Sequence, residues 1–449
     1  MNAVADLKMA DVKVIKTAAE TALAQTFSQA RDRLPGGGAI VAQRQAAFDL
    51  FALEGLPHRR VEEWKYTDLR TLMREAQPLA SPPDAATKAR AKDAGKLLGD
   101  VESRRLVFAD GAFVPELSDT AGLEAGLQIR SLADALAGGD ATLTTHLGKL
   151  APAADVAVAL NTALMGDGAV IRIAAGAIIE RPLHLIFVAS EKPAATFVRS
   201  LVVAEPGARA MVIESHEGPS GSAYQTNAAI EFVVGDGAHV DHLRIIAEGR
   251  EALHVSTLAA AIGVKARFND FTFTVGGAVV RNQLFLRFYG EDTVAGIRGV
   301  SLLKDRQHAD TTLVADHAAR GCQSREVFKA VLDGEAHGVF QGRIVVRHGA
   351  QKTDAKMMTQ ALLLSEQAEA DNKPELEIFA DDVQCGHGAT SGALDDELKF
   401  YLMARGIPPA EAEALLIQAF LGEAIGGIEH AGVREALTER AAEWLKART

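Results

Sequence analysis

The chain has 449 residues and a formal charge of −12, from 59 acidic and 47 basic side chains. That length suits roughly two or three domains with real cores. The acidic balance repels phosphate backbones, and no basic run longer than Arg59-Arg60 offsets it, which argues against nonspecific nucleic-acid binding. With 48% hydrophobic and 24% charged residues the chain is globular in composition, and its two cysteines suit a reducing compartment rather than a disulfide framework. The opening MNAVADLKMADVKVIKTAAE lacks the apolar core of a signal peptide, and no run reaches the ~18 apolar residues of a membrane span. A cytoplasmic protein with no membrane association is the expectation.

The first hundred residues read as helical. Apolar positions recur at helical spacing over 11–33 and again over 40–54, IVAQRQAAFDLFALE, with Gly36-Gly37-Gly38 breaking the two apart. LPHRRVEEWKYTDLRTL follows, and then SPPDAATKARAKDAGK, a linker or loosely packed helix. From Arg104 the texture changes to short β-branched runs punctuated by Gly: RLVFADGAFV, SLVVAEPGARAMVIES, NAAIEFVVGDGAHVDHLRII and others as far as residue 392, with almost no amphipathic helix among them. A sandwich pair and a solenoid both fit. The corners Pro206-Gly207-Ala208, Asp236-Gly237-Ala238, Gly276-Gly277-Ala278 and His348-Gly349-Ala350 favour the solenoid, because a turn stacked on its neighbours needs backbone freedom and a small side chain. Helices return at Asp395. Asp395, Asp396 and Glu397 suit a helix start, Leu398, Tyr401 and Leu402 mark one face, and Gly406 stops it. A second helix opens at Pro408-Pro409 and a third spans about 432–447. These three cap the solenoid or offer a docking surface.

No phosphate loop of the form GxxxxGK[ST] is present, so the chain is not expected to hydrolyse nucleotide. HEGPS at 216 is not a zinc-protease HExxH, and GPSGS is not a nucleophile elbow. His239 and His242, three apart on a strand, are expected to face opposite ways, while His308, His317, His337 and His348 line a ridge or are simply satisfied polar residues. The exception is DDVQCGHGAT, where Cys385 and His387 lie two apart and so share a face if extended. Thiolate and imidazole together suit iron or zinc, but two ligands close no tetrahedral site. A small buried Cys beside a backbone-bonded His stands as the alternative; a nucleophile–base pair lacks a third, orienting group. If the pair binds metal, the remaining ligands come from elsewhere in the fold or from a second chain.

DDVQCGHGATSGALDDELKFYLMARGIP, with LPHRRVEEWKYTDLR, RLVFADGAFVPELS and KPELEIFADDV, resembles the SufB/SufD family of the SUF machinery for iron–sulfur cluster assembly, over about residue 45 to the end. Within the family the wording is closer to the SufD branch. The SufB cysteine would fall near Met357-Met358-Thr359-Gln360, where this chain has none. The resemblance implies a mainly β chain: a right-handed parallel β-helix over 101–392, a helical N-terminal domain over 1–100 and a helical C-terminal domain over 393–449. It implies pairing with SufB through the β-helices and docking of the SufC ATPase on the C-terminal helices, with homodimerisation when alone. A transient Fe–S cluster or iron would sit at the SufB–SufD interface, held in part by His387 and with less weight by Cys385, and this chain would bind no nucleotide and catalyse no reaction itself. Gly386 stands where members often have Ser. A structural adaptor with no metal role, and a solenoid enzyme acting on polysaccharide, remain as alternatives of other kinds.

Overall fold

The computed structural model describes residues 16–448, so the opening of the 11–33 segment lies outside the described residues. Among those described, the strands form two sheets, one of ten strands and one of nine, between which successive strands alternate from Ala169–Ile173 onward. Along the ten-stranded sheet Arg209 is followed in register by His239, Arg267, Val294, Gln323, Asp354 and Gln384, so each coil takes between 27 and 31 residues. All these pairings are parallel, which makes the core a two-faced solenoid. One end is closed by antiparallel pieces, Ala112–Phe113 on Arg104–Ala109 and Leu127–Ser131 on Ala169–Ile173. The other end stops at Glu369–Ile378 in one sheet and Gln384–Gly392 in the other.

One corner recurs in every coil. The residue there adopts left-handed φ, and its N–H donates to a carbonyl of the next coil: Gly176 to Pro206, Gly207 to Asp236, Gly237 to Val264, Lys265 to Glu291, Asp292 to Arg320, Gly321 to Gln351 and Lys352 to Asp382. Gly207 and Gly237 hold this φ without strain; Lys265, Asp292 and Lys352 hold it at a cost that the stacked hydrogen bonds offset. The residue after each must be small, because the neighbouring coil lies directly above it. Ala208, Ala238, Ala266, Thr293, Cys322 and Thr353 fill that column and are all buried. Cys322 is thus a packing residue, its Sγ donating to the Gly290 carbonyl at 3.3 Å.

The interior is apolar for much of its length, with Leu185, Ile230, Phe232, Leu258, Phe268, Leu284, Ile297 and Leu313 in one cluster. It also encloses an ionic group. Arg244 donates to Glu214 through Nε and Nη2 at 3.0 and 2.8 Å, and His242 bridges Glu214 at 3.1 Å and Asp270 at 2.6 Å. Burial disfavours the imidazolium, yet the two flanking carboxylates outweigh it and hold the His242 pKa above its ordinary value.

Helices cover both outer faces. Ala18–Ala30 and Ala39–Glu54 pack Leu23, Phe27 and Phe51 with Trp64 against Leu160 of a further helix and against Phe197 and Val255 on the nine-stranded sheet. Thr17 caps the first of these in a capping box with Glu20. The 81–96 stretch is partly a helix, Ala85–Asp93, capped by Asp84. Three further helices interrupt the region read as strands: Leu132–Ala137, Ala141–His146 and Val156–Leu164. The last is buried at every position and wedges between the N-terminal helices and the sheet, so it carries no polar face to give it a helical period. The C-terminal helices Pro409–Ile425 and Ala431–Arg448 do not cap the end. They lie along the ten-stranded sheet, with Ile417, Leu421, Leu437 and Trp444 on Leu243, Phe271, Val300 and Val331. Among the described residues no helix is long and apolar enough to cross a membrane.

Candidate functional site

The last strand, Gln384–Gly392, carries both residues singled out at the sequence level. Cys385 stands opposite Ala355 and His387 opposite Met357 in the preceding coil. Ala355 and Met357 are buried in the solenoid interior, so Cys385 and His387 occupy core-facing positions of a coil that nothing follows. The consequence is graded exposure: Cys385 is half-buried against the interior cluster and His387 is exposed. The ring is therefore presented outward at the end of the stack, as the shared-face reading expected.

The main chain of this strand is equally unfinished. The Gln384 N–H donates to the Thr353 carbonyl at 2.8 Å, and in a parallel strand alternate residues point their amide and carbonyl the same way. Cys385, His387, Ala389 and Ser391 accordingly turn theirs to the open edge. In the other sheet the terminal strand Glu369–Ile378 has no buried residue and contains Pro374, which only an edge tolerates. Gly386 has nothing within 4 Å of where a Cβ would stand, so a serine at this position would fit without rearrangement.

Electrostatics separate the two side chains. Burial, reinforced by Asp354 and Glu326, pushes the Cys385 thiol up from its ordinary value, so in this chain alone it is a protonated thiol rather than a ligating thiolate. His387 is the better donor. Among the described residues no third His, Cys, Asp or Glu lies close enough to complete a ligand set with this pair.

Helix Asp396–Met403 follows directly. Asp395 caps it, its Oδ1 accepting from the Glu397 and Leu398 N–H groups at 2.9 and 3.0 Å. None of its residues is buried, and Leu398, Phe400, Tyr401 and Met403 are exposed, Phe400 at 71%. Ile378 and Phe379 beside the terminal strand are exposed as well. A cluster of large apolar side chains in this position is an unsatisfied surface.

The other histidines are placed differently. His239 and His242 do not converge, the first bonding Asp241 and the second lying in the interior network. His308 and His337 stack in adjacent coils, Nδ1 to Nδ1 at 3.2 Å, but His308 also meets Thr67 at 2.9 Å and His337 meets Asp371 at 2.8 Å. They are satisfied polar residues that tie the WKYT segment to the solenoid. In the same tie Arg281 lies 4.5 Å over the Trp64 ring and pairs with Asp310, which accepts from Thr67. His317 is buried on Phe288, away from any ridge.

A two-sheet parallel solenoid with helices on both outer faces, one end carrying short antiparallel strands and the other ending in an edge strand with an exposed imidazole, defines the class of protein. The comparisons give that class its family. Residues 186–420 match the model of the SUF system FeS cluster assembly SufBD core domain, and residues 17–185 that of the SufBD protein N-terminal region. An iron–sulfur cluster assembly SufBD family protein of Synechocystis is 33% identical over 412 residues, 89% of this chain and 90% of its own. The iron–sulfur cluster assembly protein SufD of Escherichia coli is 32% identical over 395 residues, 86% of this chain and 88% of its own. SufD of Bacillus subtilis is 28% identical over 284 residues, 62% of this chain and 64% of its own. The chain belongs to the SufBD family.

Proposed function

We propose that the chain serves iron–sulfur cluster assembly as a non-catalytic scaffold subunit that pairs with a SufB-type partner through its bare end, and contributes His387 to a nascent cluster or iron site shared across that junction. The observation that carries this is the last coil: core-facing positions left exposed, main-chain groups aimed outward, and two candidate donors without a third. A partner solenoid abutting this end would satisfy the edge and bring further ligands to the same place. Neutral imidazole takes the cluster or iron as cargo, and Cys385 joins only if the partner's field draws off its proton. Docking of a SufC-type ATPase falls to helix Asp396–Met403, because the two helices after it have already spent their apolar faces on the sheet. The setting is cytoplasmic, and nucleotide hydrolysis belongs to that partner.

The test is co-expression with a SufB-type and a SufC-type protein, followed by anaerobic iron and sulfide analysis of the purified complex. His387→Ala is expected to leave the three proteins together while cutting bound or delivered cluster by about tenfold or more, the scale of losing a ligand. Unchanged cluster content in H387A rejects the site. Absence of any complex rejects the scaffold role itself. The adaptor reading draws on one observation, the protonated, half-buried Cys385, and predicts that Cys385→Ala combined with His387→Ala changes nothing.

A further inference from the structure

A second group of donors lies inside the solenoid, within the coils that contain the HEGPS stretch. His216 closes strand Arg209–Glu217, His254 opens strand Leu253–Ile262 in the other sheet, and Glu248 sits in the loop between the two coils. One ligand-capable atom from each lies within 4.8 Å of the others, and all three residues are buried, at 1%, 0% and 7% exposure. The rings are held firmly. His216 stacks flat on Phe187 with centroids 4.7 Å apart, Phe187 stacks on Phe108, and His254 meets the His216 ring edge at 4.8 Å.

The hydrogen bonding of this group is incomplete. His254 Nδ1 bonds Glu248 Oε1 at 2.8 Å, and Thr226 reaches the other oxygen only at 3.4 Å. Both nitrogens of His216 and Nε2 of His254 have no partner, and neither has the buried Ser222 hydroxyl. A buried imidazole carries a donor and an acceptor, and leaving both unmade is costly enough that such groups are rare. Two buried rings with three orphaned nitrogens, each ring offering one donor atom close to the same carboxylate, leave bonding capacity that the protein itself does not fill.

We propose that His216, His254 and Glu248 bind a single divalent first-row transition ion, of the zinc or iron(II) type, inside the solenoid. Two neutral imidazoles and a carboxylate form a donor set of intermediate softness. It excludes the all-oxygen preference of calcium and magnesium, and it leaves one position for water or for the Ser222 hydroxyl. The geometry has a structural meaning, since the ion would staple consecutive coils and both sheets at one point. The other cluster of this kind, His239, Asp241 and Glu429, has no such signature: it is partly exposed, and Glu429 already pairs with Arg267 at 2.9 Å. The proposal stands apart from His387 and does not depend on it.

The test uses the full chain, stripped with chelator, reloaded with Zn2+ or with Co2+ as a spectroscopic probe, and desalted. Wild type and His387→Ala are expected to retain about one ion per chain, with Co2+ giving visible d–d bands of a low-coordinate N/O site. His216→Phe, which keeps the stack on Phe187, is expected to lose affinity by about ten- to a hundredfold, as is Glu248→Gln. Zn2+ should raise the melting temperature of wild type and of H387A but not of H216F. Equal retention by wild type and H216F, or retention lost in H387A and kept in H216F, overturns the proposal. Should both inner variants fail to fold, anomalous scattering from Zn2+-soaked wild-type crystals decides it: a peak between the two rings supports the site, and ordered water there alone rejects it.

Discussion

Glu326 sits wholly inside the solenoid, in line with Met357 and His387 of the two following coils, and neither of its oxygens has a hydrogen-bond partner. Burial lifts its pKa from 4.5 to about 7. The folded chain therefore binds this proton more tightly than the unfolded one, so the associated stability is fully present below about pH 4.5 and is lost as pH rises through about 7. Glu326→Gln is expected to match wild type near the acid end and to exceed it by about 3 kcal/mol at pH 8, read from urea unfolding at both pH values. A gap that stays flat with pH would mean that the carboxyl finds a partner. At this scale the shared face of the candidate pair was legible. Cys385 and His387 share a face because strand periodicity requires it, but the half-burial that protonates the thiol depends on Ala355 and the interior cluster, which lie thirty residues away in sequence and one coil away in space. Cys322 was unreadable for the same reason: its role follows from standing in a column with Ala266, Thr293 and Thr353, a relation that only the stack creates.

At the scale of elements, the helices over 132–164 show what hydrophobic pattern misses. Val156–Leu164 is enclosed all round, its Asn161 and Thr162 included, and a run without an exposed polar face cannot be told from a strand by period. The caps were the available signal, since Ser131, Asp140 and Asp155 each accept from an N–H of the first turn. The repeat looked irregular because Lys265, Asp292 and Lys352 take corner positions that glycine marks elsewhere. The join between that missed helix and the sheet is ionic. Arg199 is buried, donates to Glu231 at 3.2 Å and bonds Asn161 and Thr162, while Glu231 also accepts from the Gly148 and Leu150 N–H groups. Glu231→Ala strands a buried guanidinium and is expected to cost about 3–5 kcal/mol, measured by chemical denaturation. Helix Asp396–Met403 behaves oppositely, since among the described residues its large apolar side chains stay exposed. Phe400→Glu should leave the melting temperature within about 2 °C of wild type, as surface changes do, while abolishing capture of the ATPase partner. A large loss of stability would show that the face is already in use within the chain.

For the whole molecule the decisive feature is the difference between its two ends. Ala389 turns its N–H to the open edge, so Ala389→Pro removes a donor that the folded chain does not use. The variant is expected to fold and melt like wild type yet fail to co-purify with a SufB-type partner, and undiminished co-purification would place the junction elsewhere. A solenoid with helical segments before and after it follows from composition and corner chemistry, whereas the choice of which end stays bare is written in a few short antiparallel residues that no periodicity announces. Those residues also govern stoichiometry. A stack of coils open at both extremities would add further copies without limit and grow into a fibre, as any head-to-tail contact that never closes does. Stoppered at its beginning, this one leaves its finish alone free for the pairing proposed above, which would then stop at a single counterpart.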